Sequence, residues 1–285
     1  MRRLKIAHVT TYEYAASVAL QGHKLLLRPR EGHDIRIAAS RLDITPASQV
    51  KWHRDVYGNS VATVTFSEMA SRLVIASEVV IEHYEDAPLD FLLDDYAINF
   101  PFQYDPTERP DLVPYQMPSF PKDEPALRQW LAQFWRPGQM VATYGLLDSI
   151  NRAIPQSFGY QMREEPGVQS PTETLTRASG SCRDFATVFI EACRFFGLAA
   201  RFVSGYLHCP ATEAGHGSTH AWSEVYLPGA GWKGFDSTSG EVVGGRHIAV
   251  AVSRHPEAVP PVAGTFVGPP GALSVMAVDV QVAPI

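Results

Sequence analysis

Seven prolines, at positions 101, 106, 110, 114, 118, 121 and 125, divide this chain of 285 residues. Proline lacks a backbone N–H and clashes with the preceding turn, so this spacing forbids regular helix or a central strand. Residues 88–125 are therefore expected to run as an irregular connector between two modules. Aromatic side chains interspersed among the prolines (Phe100, Phe102, Tyr104, Tyr115, Phe120) would pin it to a surface.

Ahead of the connector the chain reads as strands. "LKIAHVTTY" and "IRIAASRLDI" alternate, and "KLLLRPR" is a short apolar run stopped by a proline. "SVATVTFSE" follows the turn signal Gly58-Asn59, and "LVIASEVVIEHYE" is β-branched. Short strands separated by turn residues predict a small antiparallel sandwich or barrel over residues 1–87. Its histidines (His23, His33, His53, His83) are scattered and read as ordinary surface or core residues.

Residues 126–285 mix helices and strands, which makes the fold class α+β. "DEPALRQWLAQFW" has Asp123 as a cap and Pro125 in its first turn, and "MVATYGLLDSINRAI" gives a second helix ended by Pro155. A third helix carries Phe185, Val188, Phe189, Ala192 and Phe196 on one stripe, with Gly197 as its stop. The β-rich run "AARFVSGYL" follows. "HAWSEVYL" and "GWKGFDST" then flank Pro228-Gly229-Ala230-Gly231, a hairpin signal.

Composition excludes some functions. A net charge of -6 leaves no basic surplus for nucleic acid or anionic lipid. No apolar run is long enough to span a membrane, and "MRRLKIAHVTTYEY" has none long enough for a secretory segment, so neither is expected. Three cysteines do not make a disulfide framework, so reduced thiols in a cytoplasmic protein are expected.

One of those thiols, Cys182, follows Ser-Gly-Ser at the entrance of the third helix. Unpaired N–H groups there favour negative charge, and a thiol is a useful nucleophile only as thiolate. An imidazole to take its proton and a carboxylate to orient the imidazole would complete a catalytic set. His220 opens one hairpin strand and Asp236 lies near the end of the next. A three-residue loop over 228–230 would pair Leu227 with Gly231 and Trp222 with Asp236. His220 would then lie diagonal to Asp236 on the same face, whereas an even loop would separate them unless a bulge intervened. Cys193, on the same helix, reads as packing.

The rival chemistry is a metal site from His208, Cys209, His216 and His220. "EAGHGSTH" is too glycine-rich for a helix to align its histidines, and no Cys-x-x-Cys pair supports it. No metal or cofactor is therefore expected, and no phosphate-binding glycine motif occurs.

"SGSCRDFATVFIEACRFFGLAARFVSGYL" followed by "HAWSEVYLPGAGWKGFDST" resembles the transglutaminase-like superfamily of papain-type thiol enzymes. The likeness is to bacterial members described as candidate cysteine proteases. "HVTTYEYAASVALQGHKLLLRPR" with "RDVYGNSV" resembles their β-rich N-terminal domain. "FGYQM" resembles their Phe-x-Tyr segment and "VPPVAGTFVG" their C-terminal signature. The resemblance implies a Cys-bearing helix packed on an antiparallel sheet, with Cys182, His220 and Asp236 as the triad. It also implies acyl transfer on amide bonds of a protein or peptide, by hydrolysis (protease or deamidase). Crosslinking to an amine, or a silent binding protein, are the alternatives. Tyr160 and Trp222 are the candidates for an oxyanion or substrate role, and the N-terminal domain is expected to position a substrate or partner. Ser237 stands where the family has proline, which would relax the turn after Asp236. "RHPEAVPP" lacks the family's Asp-Tyr and a later Asp.

Overall fold

Period-two alternation builds the first module. In the computed structural model, which describes residues 1–84, 87–163, 165–208 and 218–285, Leu4, Ile6, His8 and Thr10 point inward from β1 (Arg2–Leu20). The strands that follow are β2 (His23–Leu25), β3 (Ile35–Thr45), β4 (Ser48–Arg54), β5 (Ser60–Phe66) and β6 (Met69–His83). β6 lies between β1 and β3, both antiparallel to it, while β5 lies between β2 and β4 in a second sheet. Val18, Leu20, Leu25, Val64, Leu73 and Ile75 fill the space between the sheets, giving the expected sandwich.

The connector is more regular than its prolines suggest. A short strand β7 (Asn99–Phe100) leads to an eight-residue helix, α1 (Arg109–Gln116). Pro110 occupies the first turn, where an N–H has no partner anyway, and Pro114 removes one bond from the interior. The expected aromatic pins are present: Phe100 contacts Trp135 and Phe196 at ring distances of 5.3 and 5.5 Å. α2 (Glu124–Leu131) and the short strand β8 (Val141–Ala142) follow, β8 pairing with β7. α3 (Thr143–Ser157) does not stop at Pro155; it runs two residues further, because a proline in the last turn costs only one hydrogen bond.

Next come β9 (Gly159–Tyr160), α4 (Pro171–Arg177), β10 (Ser179–Gly180) and α5 (Cys182–Phe195). α4 was unforeseen, although Ser170 and Glu173 form a capping box with Pro171 at its start. α5 ends at Gly197, whose φ of +75° suits the residue with no Cβ.

α5 packs on a five-stranded antiparallel sheet made of β11 (Ala200–Leu207), β12 (Ser218–Leu227), β13 (Gly231–Asp236), β14 (Glu241–Val242) and β15 (His247–Ser253), in the order β14-β13-β12-β11-β15. Phe189 meets Phe235 at 5.2 Å, and Ser223 Oγ donates to the Ala186 carbonyl at 3.0 Å.

The chain then returns to the first module through β16 (Val262–Ala263), β17 (Phe266–Val267) and β18 (Leu273–Pro284). β18 pairs with β1 from Leu4↔Pro284 to Tyr14↔Leu273, and β16 pairs with β2. The strand-rich module therefore draws strands from both ends of the chain, whereas the sequence reading assigned all of 126–285 to the core. Its lower half also shares one apolar cluster with the core sheet, including Ile6, Ile81, Val282, Tyr206 and Ile248. Among the described residues no helix is long and apolar enough to cross a membrane.

Candidate active site

The site is assembled at the N-terminus of α5. β9 and β10 pair in parallel, setting Tyr160 beside Gly180, two residues before Cys182. Ser181 is the N-cap and Asp184 the third helical residue. Asp184 Oδ2 accepts from the Ser181 N–H and hydroxyl, each at 2.8 Å. Its Oδ1 accepts from the Gln169 N–H at 2.7 Å and from Arg163 at 2.8 Å. Burial opposes the charge of Asp184, yet these hydrogen bonds hold its carboxyl below the ordinary value. The first turn of α5 is thus fixed by groups flanking Cys182, whose own side chain is half-buried.

The hairpin has the three-residue loop the geometry required. Leu227 pairs with Gly231 and Ser223 with Phe235, so the register runs toward Trp222 and Asp236 at its open end. His220, diagonal to Asp236, places Nε2 2.9 Å from Asp236 Oδ2. With Nε2 so engaged, Nδ1 is the ring nitrogen left to meet Cys182. Burial disfavours charge on this imidazole. The hydrogen bonds to Asp236 and Cys182, with the charges of both, outweigh burial and push His220 up to about 10. Asp236 is also buried, but hydrogen bonds from His220 and from a second histidine, His247, hold its carboxyl well below the carboxylate range.

Sequence reasoning missed His247. It starts β15, and its Nε2 lies 3.1 Å from the same Asp236 Oδ2. Nothing in its spacing ties it to Asp236; the one available signal was a polar residue heading the apolar run "IAVAVS". One ligand-type atom from each of His220, Asp236 and His247 lies within 4.8 Å of the others, a spacing compatible with a metal ion. Of the rival cluster read from sequence, Cys209 and His216 lie outside the described residues.

The two accessory residues separate. Tyr160 is 58% exposed, and the charges of Cys182 and Asp236 reach its phenol, which burial and those charges raise above its ordinary value. It therefore flanks the open side of the site. Trp222 is 1% exposed and sets its ring against His247 at 5.2 Å, so it backs the histidines and has no surface for a substrate. Ser237 does not loosen the turn after Asp236. Its hydroxyl donates to Asn151 Oδ1 at 2.9 Å, and the Gly240 N–H closes the turn on the Asp236 carbonyl at 2.8 Å. Cys193 is fully buried, and burial pushes its thiol far up, in keeping with packing.

Comparison with known proteins agrees with this architecture. An uncharacterized protein of Mycobacterium tuberculosis is 28% identical over 292 residues, covering 92% of this chain and 87% of its own. One from Mycobacterium leprae is 24% identical, covering 94% of each. The crystal structure of a "putative cysteine protease" from Cytophaga hutchinsonii superposes over 100% of this chain and 91% of its own, with a TM-score of 0.75 at 19% identity. Residues 4–82 match the bacterial transglutaminase-like N-terminal region, and residues 138–237 match the transglutaminase-like superfamily core. With the two regions in this order and Cys182 opening α5 inside the second, the chain belongs to the transglutaminase-like superfamily.

Proposed function

We propose that this protein is a thiol enzyme that cleaves amide bonds of protein or peptide substrates through a Cys182 thioester. The observation that carries the reading is the 2.9 Å contact of His220 Nε2 with Asp236 Oδ2, in a ring whose other nitrogen is left for the thiol at the start of α5. Because His220 is pushed up to about 10, it holds a proton at neutral pH. It is thus ready to protonate a departing amine.

The Cys182 sulfur attacks the amide carbonyl, and the tetrahedral oxyanion forms where the N–H groups of the first helical turn have no intrahelical partner. Collapse breaks the C–N bond, and the amine leaves with the proton from His220. Water, deprotonated by His220, then hydrolyses the thioester and regenerates the thiol. Asp236 keeps the ring in the tautomer this sequence needs. Tyr160, exposed beside Cys182, is the candidate for substrate contact.

The test is peptide-resolved iodoacetamide labelling from pH 5 to 9 on wild type and His220→Ala. Cys182 should react at least tenfold faster in wild type than in the variant at pH 6–7, as expected when a neighbouring imidazole activates a thiol. Equal rates of Cys182 labelling in the two proteins across this range would refute a working pair. The acceptor is then identified with a glutamine-containing protein incubated with and without a tagged primary amine. Chain cleavage or deamidation supports hydrolysis, and amine incorporation replaces it with crosslinking.

A further inference from the structure

We propose that His247 is a positioning residue, holding the Asp236 carboxylate in the orientation that aligns His220. The proposal rests on the thiol-enzyme reading above and extends it to a residue outside the Cys-His-Asp set.

Asp236 has three hydrogen-bond donors. Oδ1 accepts from the Thr238 N–H at 2.9 Å, while Oδ2 accepts from His220 Nε2 at 2.9 Å and from His247 Nε2 at 3.1 Å. The tautomer of His247 follows from its other nitrogen. The Gly244 N–H points at Nδ1 over 3.4 Å, so Nδ1 accepts and the ring proton sits on Nε2, aimed at Asp236. A neutral ring can make this bond without carrying charge. It is buried, with the edge-to-face contact of Trp222 (74° between planes) limiting its rotation.

Two donors on one carboxylate oxygen fix its direction more tightly than one. They also favour the ionised acid, because each hydrogen bond strengthens when its acceptor is charged. Loss of His247 would leave Asp236 able to swing about its Thr238 contact, with the ring of His220 following. Groups that orient a functional ligand from behind commonly alter function by tenfold or more when removed.

His247 is itself well anchored. The first module holds the backbone of β15 at three places: Arg30 N–H on the Ala249 carbonyl at 2.8 Å, Asn59 on both groups of Val252, and His83 Nε2 on the His247 carbonyl at 3.2 Å. This supplies a physical task for the strand-rich module, which fixes the strand that carries the positioning residue.

The experiment measures the rate of Cys182 alkylation by iodoacetamide at pH 7 in full-length wild type, His247→Phe, His247→Gln, Asp236→Asn, the His247→Phe/Asp236→Asn double variant and His220→Ala. His247→Phe should slow alkylation about tenfold, and His247→Gln, whose amide donates from nearly the same place, should restore it to within about twofold of wild type. In the Asp236→Asn background His247→Phe should have no further effect, since both act on one carboxylate. A wild-type rate in His247→Phe, equal slowing in the Phe and Gln variants, or full additivity with Asp236→Asn each overturns the proposal. If His220→Ala slows alkylation while His247→Phe does not, only this proposal falls; if His220→Ala has no effect, the thiol-enzyme reading falls and takes it along. Should His247→Phe fail to fold, 15N-histidine spectra of the wild type decide. A neutral His247 protonated on Nε2 supports the assignment, and protonation on Nδ1 alone overturns it.

Discussion

Asn59 meets both backbone groups of Val252, 193 residues away: Asn59 Nδ2 donates to the Val252 carbonyl at 2.8 Å, and Asn59 Oδ1 accepts from the Val252 N–H at 2.9 Å. The side chain acts as a short strand edge supplied by the first module, and both residues are buried. Replacing it with leucine would strand two backbone groups where water does not reach. Asn59→Leu is expected to cost about 2–4 kcal/mol, at roughly 1–3 for each orphaned group less some relaxation. Urea denaturation measures it, and a loss below about 1 kcal/mol would mean that water replaces the amide.

Gly205 is a glycine for lack of space. A Cβ there would lie 2.3 Å from the Ile248 carbonyl oxygen and 2.6 Å from the Trp222 ring. Gly205 pairs with His220 across β11 and β12, so any shift of Trp222 moves the wall behind both histidines. Gly205→Ala is expected to destabilise by about 1–3 kcal/mol, as overpacking does. Its Cys182 alkylation should also slow even at temperatures where the variant remains folded. Wild-type melting and labelling together would show that the sheet opens freely here.

The ion pair between Glu191 and Arg194 is buried within α5 at 2.7 Å. Glu191 also accepts from the Ser119 and Phe120 N–H groups, and Arg194 reaches the carbonyls of Tyr115, Ala200 and Arg254. Glu191→Ala would leave a buried guanidinium without its counter-charge and is expected to cost about 3–5 kcal/mol. Glu191→Gln, which keeps an acceptor, should cost less. Limited proteolysis provides a second readout, because the connector would lose its hold at Ser119 and Phe120 and be cut first in Glu191→Ala.

The parts of this molecule that were legible in the sequence are those set by local periodicity. The stripe from Phe185 to Phe196 specified α5, whereas the hairpin put His220 and Asp236 on one face only on condition of an odd loop or a bulge, a condition the three-residue loop meets. Elements fixed by distant partners were not legible. β18 is a strand because β1, whose paired residues lie 259 to 280 positions earlier in the chain, presents an edge to it, and its return was missed for that reason. Proline spacing also overruled too much, since one missing N–H in a first or last turn is cheap, as α1 and α3 show. His247 reaches Asp236 from beyond β11 and β12, through the curl of the sheet, and no short motif encodes such a contact.

The His220–Asp236 pair should give the protein a stability profile that falls at both ends of the pH scale. His220 is raised from 6.5 to about 10, so its contribution is complete below pH 6.5 and is lost as pH rises through about 10. Asp236 is held below its ordinary 3.8, so its contribution is present above that value and declines as pH falls beneath it. Denaturation midpoints from pH 3 to 10 should therefore decline in wild type on the alkaline side. That limb should shrink in His220→Gln, which has no proton to lose. Cys182→Ser removes one of the two partners that raise His220 while leaving Asp236, so its alkaline limb should survive but be smaller in total and finish nearer neutrality. If wild type and His220→Gln show the same slope between pH 7 and 10, the imidazole does not carry the extra proton in the folded state. The acid step assigned to it would then need another donor.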